Sequence, residues 1–223
     1  MVKAIYLHGR GELNPDNCHV FNRLKEIFKL GSQNIELTYI EYTQDLDIKK
    51  YLVSEVLEII SNKIINMSQN KKIILIGYSF GGLFASWFAE KYPKYIHRLI
   101  LLAPAIDNYE RNFANIKLPK DNENFNKYLD DLLSLSSRPN LSKEITNKTM
   151  IIHGNKDNDQ GGGNISRIIS WVKQLGNIKK IYYPENINHS LMPWLYLNEN
   201  KAIKNGFIPV TYLIYCHLES NYE

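Results

Sequence analysis

Gly77-Tyr78-Ser79-Phe80-Gly81-Gly82 follows a short apolar run, Lys71-Lys72-Ile73-Ile74-Leu75-Ile76, and precedes a segment in which Leu83, Phe84, Trp87 and Phe88 recur at helical spacing until Pro93. A strand, a turn carrying G-x-S-x-G and a helix make a nucleophile elbow, in which a strained backbone presents the serine hydroxyl. Glycines two positions to either side of Ser79 leave room for neighbouring backbone, and Gly77 and Gly81 meet that need.

A serine hydroxyl is a poor nucleophile at neutral pH, so an elbow calls for a histidine to take its proton and a carboxylate to orient that histidine, both later in the chain. Lys148-Thr149-Met150-Ile151-Ile152-His153-Gly154-Asn155-Lys156-Asp157 reads as a strand ending in a turn that delivers Asp157. Ile178 to Tyr183 is another strand-like run, and Pro184 to Asn188 then leads to His189. Ser79, Asp157 and His189 therefore stand in the order an elbow requires. Asp159 and Asp107 compete with Asp157: the first is two residues on and beside the turn-forming Gly161-Gly162-Gly163, the second follows the preceding strand. Of the six histidines, His189 alone sits in a loop after the last core strand. His8 and His153 belong to strand-end His-Gly pairs suited to supporting loops, His97 reads as a surface residue between helix and strand, His19 lies in the first helix and His217 in the tail.

A tetrahedral intermediate also needs preorganised N–H donors for its oxyanion. Val2-Lys3-Ala4-Ile5-Tyr6-Leu7-His8-Gly9-Arg10-Gly11 supplies a strand and a glycine-rich loop, so the expected donors are the backbone N–H of Phe80 and that of Arg10 or Gly11.

Through the strand ending in His8-Gly9, the elbow at Ser79, the His153-Gly154-x-x-Asp157 turn and the late His189, roughly residues 1 to 195 resemble the α/β-hydrolase superfamily. The likeness is to small bacterial-type serine esterases that begin at the His-Gly strand and have a short cap. The resemblance implies an α/β architecture, a mostly parallel sheet of about six strands flanked by helices, with the active site at the C-terminal strand ends and no cofactor.

The alternation of periodicities agrees with such a sheet. Strands are expected near residues 2–7, 34–41, 72–77, 98–104, 149–154 and 178–183. Asn14 and Pro15 punctuate the start of a first helix carrying Val20, Phe21, Leu24, Ile27 and Phe28, and Gly31 stops it. A longer helix is expected from about Asp45 to Met67, and another from about Asn164 to Leu175, stopped by Gly176.

Two regions fall outside the alternation. Residues 106–148 hold Tyr109, Phe113, Phe125, Tyr128, Leu129, Leu132 and Leu133 and emerge at the catalytic edge, so they read as a small lid lining an acyl or alcohol pocket, or as an insertion packed onto the domain. Leu191, Met192 and Trp194 follow His189 and are candidates for one apolar wall of that pocket. Relatives usually close with a helix after the histidine. In the tail, 195–223, Phe207-Ile208-Pro209-Val210-Thr211-Tyr212-Leu213-Ile214-Tyr215-Cys216 is β-branched and aromatic and reads as more strand-like than helical: an edge strand, an oligomer contact or an atypical terminus.

At 223 residues the chain fits one α/β domain, 1–223. Its apolar fraction of 44% and charged fraction of 22% are those of an ordinary soluble protein. A net charge of +4, spread without a basic run, argues against nucleic acid. Cys18 and Cys216 are far apart, outside any metal-like spacing, so neither a disulfide framework nor a zinc site is expected. No stretch approaches the roughly 20 apolar residues of a membrane span, no signal-peptide pattern precedes the first strand, and a cytoplasmic location is expected. The expected function is that of a serine hydrolase acting on a small-molecule carboxylic ester or thioester through an acyl-serine. The alternative is a hydrolase-like binding protein without catalysis.

Overall fold

The computed structural model describes residues 2–9, 14–30, 35–42, 53–106, 138–158, 164–191 and 210–219. Six strands form one parallel sheet: β1 (Val2–Leu7), β2 (Ile35–Ile40), β3 (Ile73–Tyr78), β4 (Ile96–Leu102), β5 (Thr149–Ile152) and β6 (Lys180–Tyr182), in the spatial order β2-β1-β3-β4-β5-β6. The six expected strands are all present, β1 with the expected ends and the others with ends shifted by no more than two residues.

Successive side chains of a strand leave by opposite faces, and the central strands bury both. Ile5, Leu7, Ile73, Leu75, Leu99, Leu101 and Ile151 face one apolar layer, together with residues of α2 (Val53–Ser68) and α3 (Phe80–Lys91). Ala4, Tyr6, Ile74, Ile76, Ile100, Leu102, Met150 and Ile152 face the other, against α1 (His19–Leu30). This two-sided burial explains why Ile73 to Tyr78 reads as a continuous apolar run and not as an alternating one.

Helix boundaries follow local chemistry. The Asn14 side chain accepts from Asp16 N, but what it caps is a single 3-10 turn, Pro15–Asn17, and α1 starts only at His19. In α5 (Ile165–Leu175) the Asn164 side chain caps the first turn and Gly176, at φ 71°, ends the last, since a glycine adopts left-handed backbone without a Cβ clash. Residues 43–52, where the second helix was expected to begin, lie outside the described residues.

Two expectations are corrected. The C-terminal part of the 106–148 segment is core and not lid. Ser142 caps α4 (Lys143–Asn147), Leu141 and Ile145 are buried in the layer with α3 and α5, and Trp171 Nε1 donates to Pro139 O at 2.8 Å. The lid aromatics from Tyr109 to Leu133 lie outside the described residues.

The tail is helical where the sequence reads as strand-like: Val210–Glu219 forms α6. Leu213, Ile214, His217 and Leu218 recur at helical spacing and are all buried, the three apolar ones in the layer that holds α1. Burial of each such side chain is worth about 2 kcal/mol, against a few tenths of a kcal/mol of helix propensity lost at each β-branched position, so packing decides. The helix end is also met by cations: buried Arg98 donates Nε–H to His217 O at 3.1 Å and Lys180 Nζ donates to Cys216 O at 3.4 Å.

Candidate active site

β3 ends where α3 begins, and Ser79 is the residue between them, at φ 51° and ψ −118°. A non-glycine residue there carries backbone strain of about 1–3 kcal/mol, tolerated only when its surroundings hold it. They do: Ser79 N donates to Leu102 O at 2.9 Å, while Gly82 N and Ala105 N donate to Ser79 O at 2.9 and 2.8 Å. Gly81 lies so close to β1 that a Cβ would collide with the Leu7 carbonyl, which explains the glycine after the serine.

The loop after β6 brings His189 over the elbow, with Nε2 2.7 Å from Ser79 Oγ. Its other ring nitrogen, Nδ1, is 2.6 Å from Asp157 Oδ2. Because an ionised carboxylate only accepts, Nδ1 carries the proton and Nε2 is left to accept from the serine hydroxyl. The Asp157 side chain is fully buried and that of His189 is 25% exposed, so the carboxylate is shielded while the imidazole reaches the surface. Tyr78, the residue before the serine, donates its hydroxyl to His189 O at 3.3 Å and ties the histidine loop to the elbow.

The loops that carry Asp157 and His189 are docked to each other by backbone. A Cβ on Gly154 would collide with the Ile187 carbonyl, so the His153-Gly154 pair is what lets the two loops touch. Lys156 N donates to Ile187 O at 2.9 Å, Asn155 N to Pro184 O at 3.2 Å, and Asn186 N to Asn155 Oδ1 at 2.8 Å. Asp157 O in turn accepts from Ile165 N at 3.1 Å, fastening the acid turn to the start of α5.

Phe80 opens α3, and the first N–H groups of a helix have no acceptor within it. Arg10 and Gly11 lie outside the described residues, but Gly9 runs beside the elbow: a Cβ there would stand 3.2 Å from Ser79 Cβ. His8 shapes that approach. Its ring is stacked against Tyr42 at 4.1 Å and Tyr39 at 5.0 Å between centroids, Nδ1 donates to Gly9 O at 2.7 Å, and Nε2 accepts from Tyr42 N at 3.4 Å. Tyr42 also donates its hydroxyl to His8 O. Burial holds His8 down to about 4, with the Gly9 hydrogen bond opposing, so at neutral pH it is an uncharged brace.

The other sequence candidates separate. His97 and His217 lie near Arg98 at the start of β4, at the strand end away from Ser79. Burial first, then Lys180 and Arg98, push His217 down to about 3. Leu191 is fully enclosed in the apolar layer with Ile187, Leu213 and Ile214, so here it meets protein and not an open wall. Asp107, Asp159, Met192 and Trp194 lie outside the described residues. Sequence reading missed the parts played by Tyr39, Tyr42 and Tyr78. Tyr39 in β2 and Tyr42 just beyond it, on the strand paired in parallel with β1, which leads into His8, were the available signal. Among the described residues no group of three or more histidines, cysteines or acidic side chains is arranged to hold a metal ion, and no helix is long and apolar enough to cross a membrane.

A family model described as the alpha/beta hydrolase fold matches residues 41–139. The chain has the α/β-hydrolase fold. Among solved structures it is similar to Est1E from Butyrivibrio proteoclasticus with bound ferulic acid, at TM-score 0.66 and 14% identity over 99% of this chain and 90% of that one. Carboxyl esterase 2 from Tuber melanosporum matches at TM-score 0.62 and 15% identity, over 99% of this chain and 79% of that one. A serine hydrolase without lid from Xanthomonas campestris matches at TM-score 0.54 and 13% identity, over 92% of this chain and 80% of that one. No curated protein matches the sequence significantly. At such identities the α/β-hydrolase likeness speaks for the fold, and the chemistry has to be argued from the side chains.

Proposed function

We propose that this α/β-hydrolase-fold protein is a serine hydrolase that cleaves a small-molecule carboxylic ester or thioester through an acyl-serine. The observation that carries the reading is the continuous relay from Ser79 Oγ to His189 Nε2 at 2.7 Å and from His189 Nδ1 to Asp157 Oδ2 at 2.6 Å, on a strained elbow. Ser79 attacks the acyl carbon as His189 takes its proton, and the carbonyl oxygen becomes an oxyanion met by the N–H of Phe80 and a donor of the loop after Gly9. His189 then returns the proton to the leaving alkoxide or thiolate, and a water activated by the same base releases the acid. Asp157 holds the ring in the productive tautomer and stabilises its cationic form. The carboxyl esterase among the similar structures supports ester over amide, as does chemistry, since alkoxides and thiolates leave more readily than amines.

The test is a screen of p-nitrophenyl esters of increasing acyl length alongside acyl-CoA thioesters, with Ser79→Ala as control and a fluorophosphonate as a covalent probe. Turnover and labelling that both vanish in Ser79→Ala support the reading. Labelling elsewhere, or none, overturns it and leaves a binding protein on a hydrolase scaffold.

A further inference from the structure

Two histidines converge on one oxygen of the acid. Asp157 Oδ2 is 2.6 Å from His189 Nδ1 and 3.2 Å from His153 Nε2. The mechanism above has no use for His153, yet that ring is fully buried and neither of its nitrogens makes a well-formed hydrogen bond with the described residues. The approach to Oδ2 is thus within ion-pair reach but short of hydrogen-bond alignment. A buried polar group left in that condition costs about 1–3 kcal/mol, while a buried carboxylate needs donors. The two needs meet only if Nε2 carries the proton, because a ring lone pair aimed at carboxylate lone pairs would repel them.

The placement is rigid. His153 follows β5 directly, its backbone N donates to Tyr182 O at 2.9 Å, and the next residue, Gly154, is wedged against the Ile187 carbonyl. The backbone that carries the ring is therefore held by the same contacts that join the Asp157 and His189 loops. Titratable groups gathered at this junction include His153, Asp157, His189 and the Tyr78 hydroxyl on the His189 carbonyl.

We propose that His153 is a positioning residue of the reaction, an imidazole whose Nε2–H holds the Asp157 carboxylate beneath His189 and takes up part of its charge. This role rests on the serine-hydrolase reading. A carboxylate shared by two rings draws the His189 proton less strongly, so His189 stays neutral, and competent as a base, to lower pH. Without the second donor the His189 imidazolium is better stabilised, the onset of reactivity moves to higher pH, and Asp157 is freer to turn.

The experiment measures the rate of fluorophosphonate labelling of Ser79 across pH in the full chain, which needs no knowledge of the natural substrate. His153→Phe and His153→Leu remove the donor at two sizes, so that at least one folded variant is read, and His153→Gln restores an N–H at similar reach. The expected result for the first two is a plateau lower by about tenfold or more and a midpoint higher by about half a pH unit or more. His153→Gln should stay near wild type in both. An unmoved midpoint in Phe and Leu, or a Gln variant displaced as far as they are, overturns the role. If wild type does not label at Ser79, the proposed function falls, and this role falls with it.

Discussion

At the scale of single residues, three side chains and one missing side chain define the site. In the proposed mechanism Ser79 and His189 act on one proton, so Ser79→Ala and His189→Ala should each lower kcat/KM by about 10³-fold or more, and the double variant should lose little beyond either. Additive losses in the same assay would show two independent contributions and not a relay. Asp157→Asn keeps the shape but puts an amide where His189 Nδ1 needs a carboxylate, 2.6 Å away. A fall of about 10³- to 10⁴-fold in kcat is expected, while a fall confined to KM would argue that Asp157 binds substrate instead. Gly154→Ala drives a methyl into the Ile187 carbonyl and should part the acid and base loops. The thermal midpoint should drop, by about 1–3 kcal/mol of stability, and labelling of Ser79 should slow. A variant with wild-type values of both would show that the loops tolerate separation.

At the scale of elements, α6 is the instructive case. Val210, Thr211, Ile214 and Tyr215 favour strands by propensity, and a reading confined to neighbours in sequence calls this stretch extended. What overrides propensity is the apolar layer beside α1, which offers a place to Leu213, Ile214 and Leu218, and the pair of cations, Arg98 and Lys180, at the helix end. Ile214→Ala should accordingly cost about 2–5 kcal/mol, read from the midpoint of urea denaturation. An exposed edge strand would lose far less, and a cost under about 0.5 kcal/mol is what a surface position gives. By contrast the ends of α5 were legible locally, because Asn164 and Gly176 do their work through their own backbone neighbourhood.

At the scale of the whole molecule, two buried histidines, His8 just beyond β1 and His217 on α6, bear on how stability depends on pH. His8 is held down to about 4 and His217 to about 3, chiefly by burial, from an ordinary value of 6.5. The unfolded chain binds these protons below about 6.5 whereas the folded chain refuses them, so the unfolded state carries more protons and stability rises with pH. The contribution is complete above about pH 6.5. It declines as pH falls through the window down to about 4 for His8 and about 3 for His217, at up to about 1.4 kcal/mol per pH unit for each. Thermal midpoints should therefore fall from pH 6.5 toward pH 4, and His217→Leu should flatten the slope. An equal slope in that variant would show that other groups set the acid limit.

The order Ser79, Asp157, His189, the six strands and the elbow could be read from the chain because each rests on a local requirement: glycine where backbone crosses closely, apolar runs where both faces are covered, turn residues where strands end. Which aspartate and which histidine come together depends on loops distant from the serine in sequence, that of His189 lying 110 residues on, and the order of residues narrows that choice without closing it. Tertiary structure alone decided that Asp157 lies between His189 and His153, that Tyr78 reaches the histidine loop, that His8 stands between two tyrosines, and that the tail coils into a helix. The reason is the same in each case. These contacts are made through space by side chains and surfaces that only the closed sheet brings to one place, and the free energy of burying them exceeds the local preferences a sequence displays.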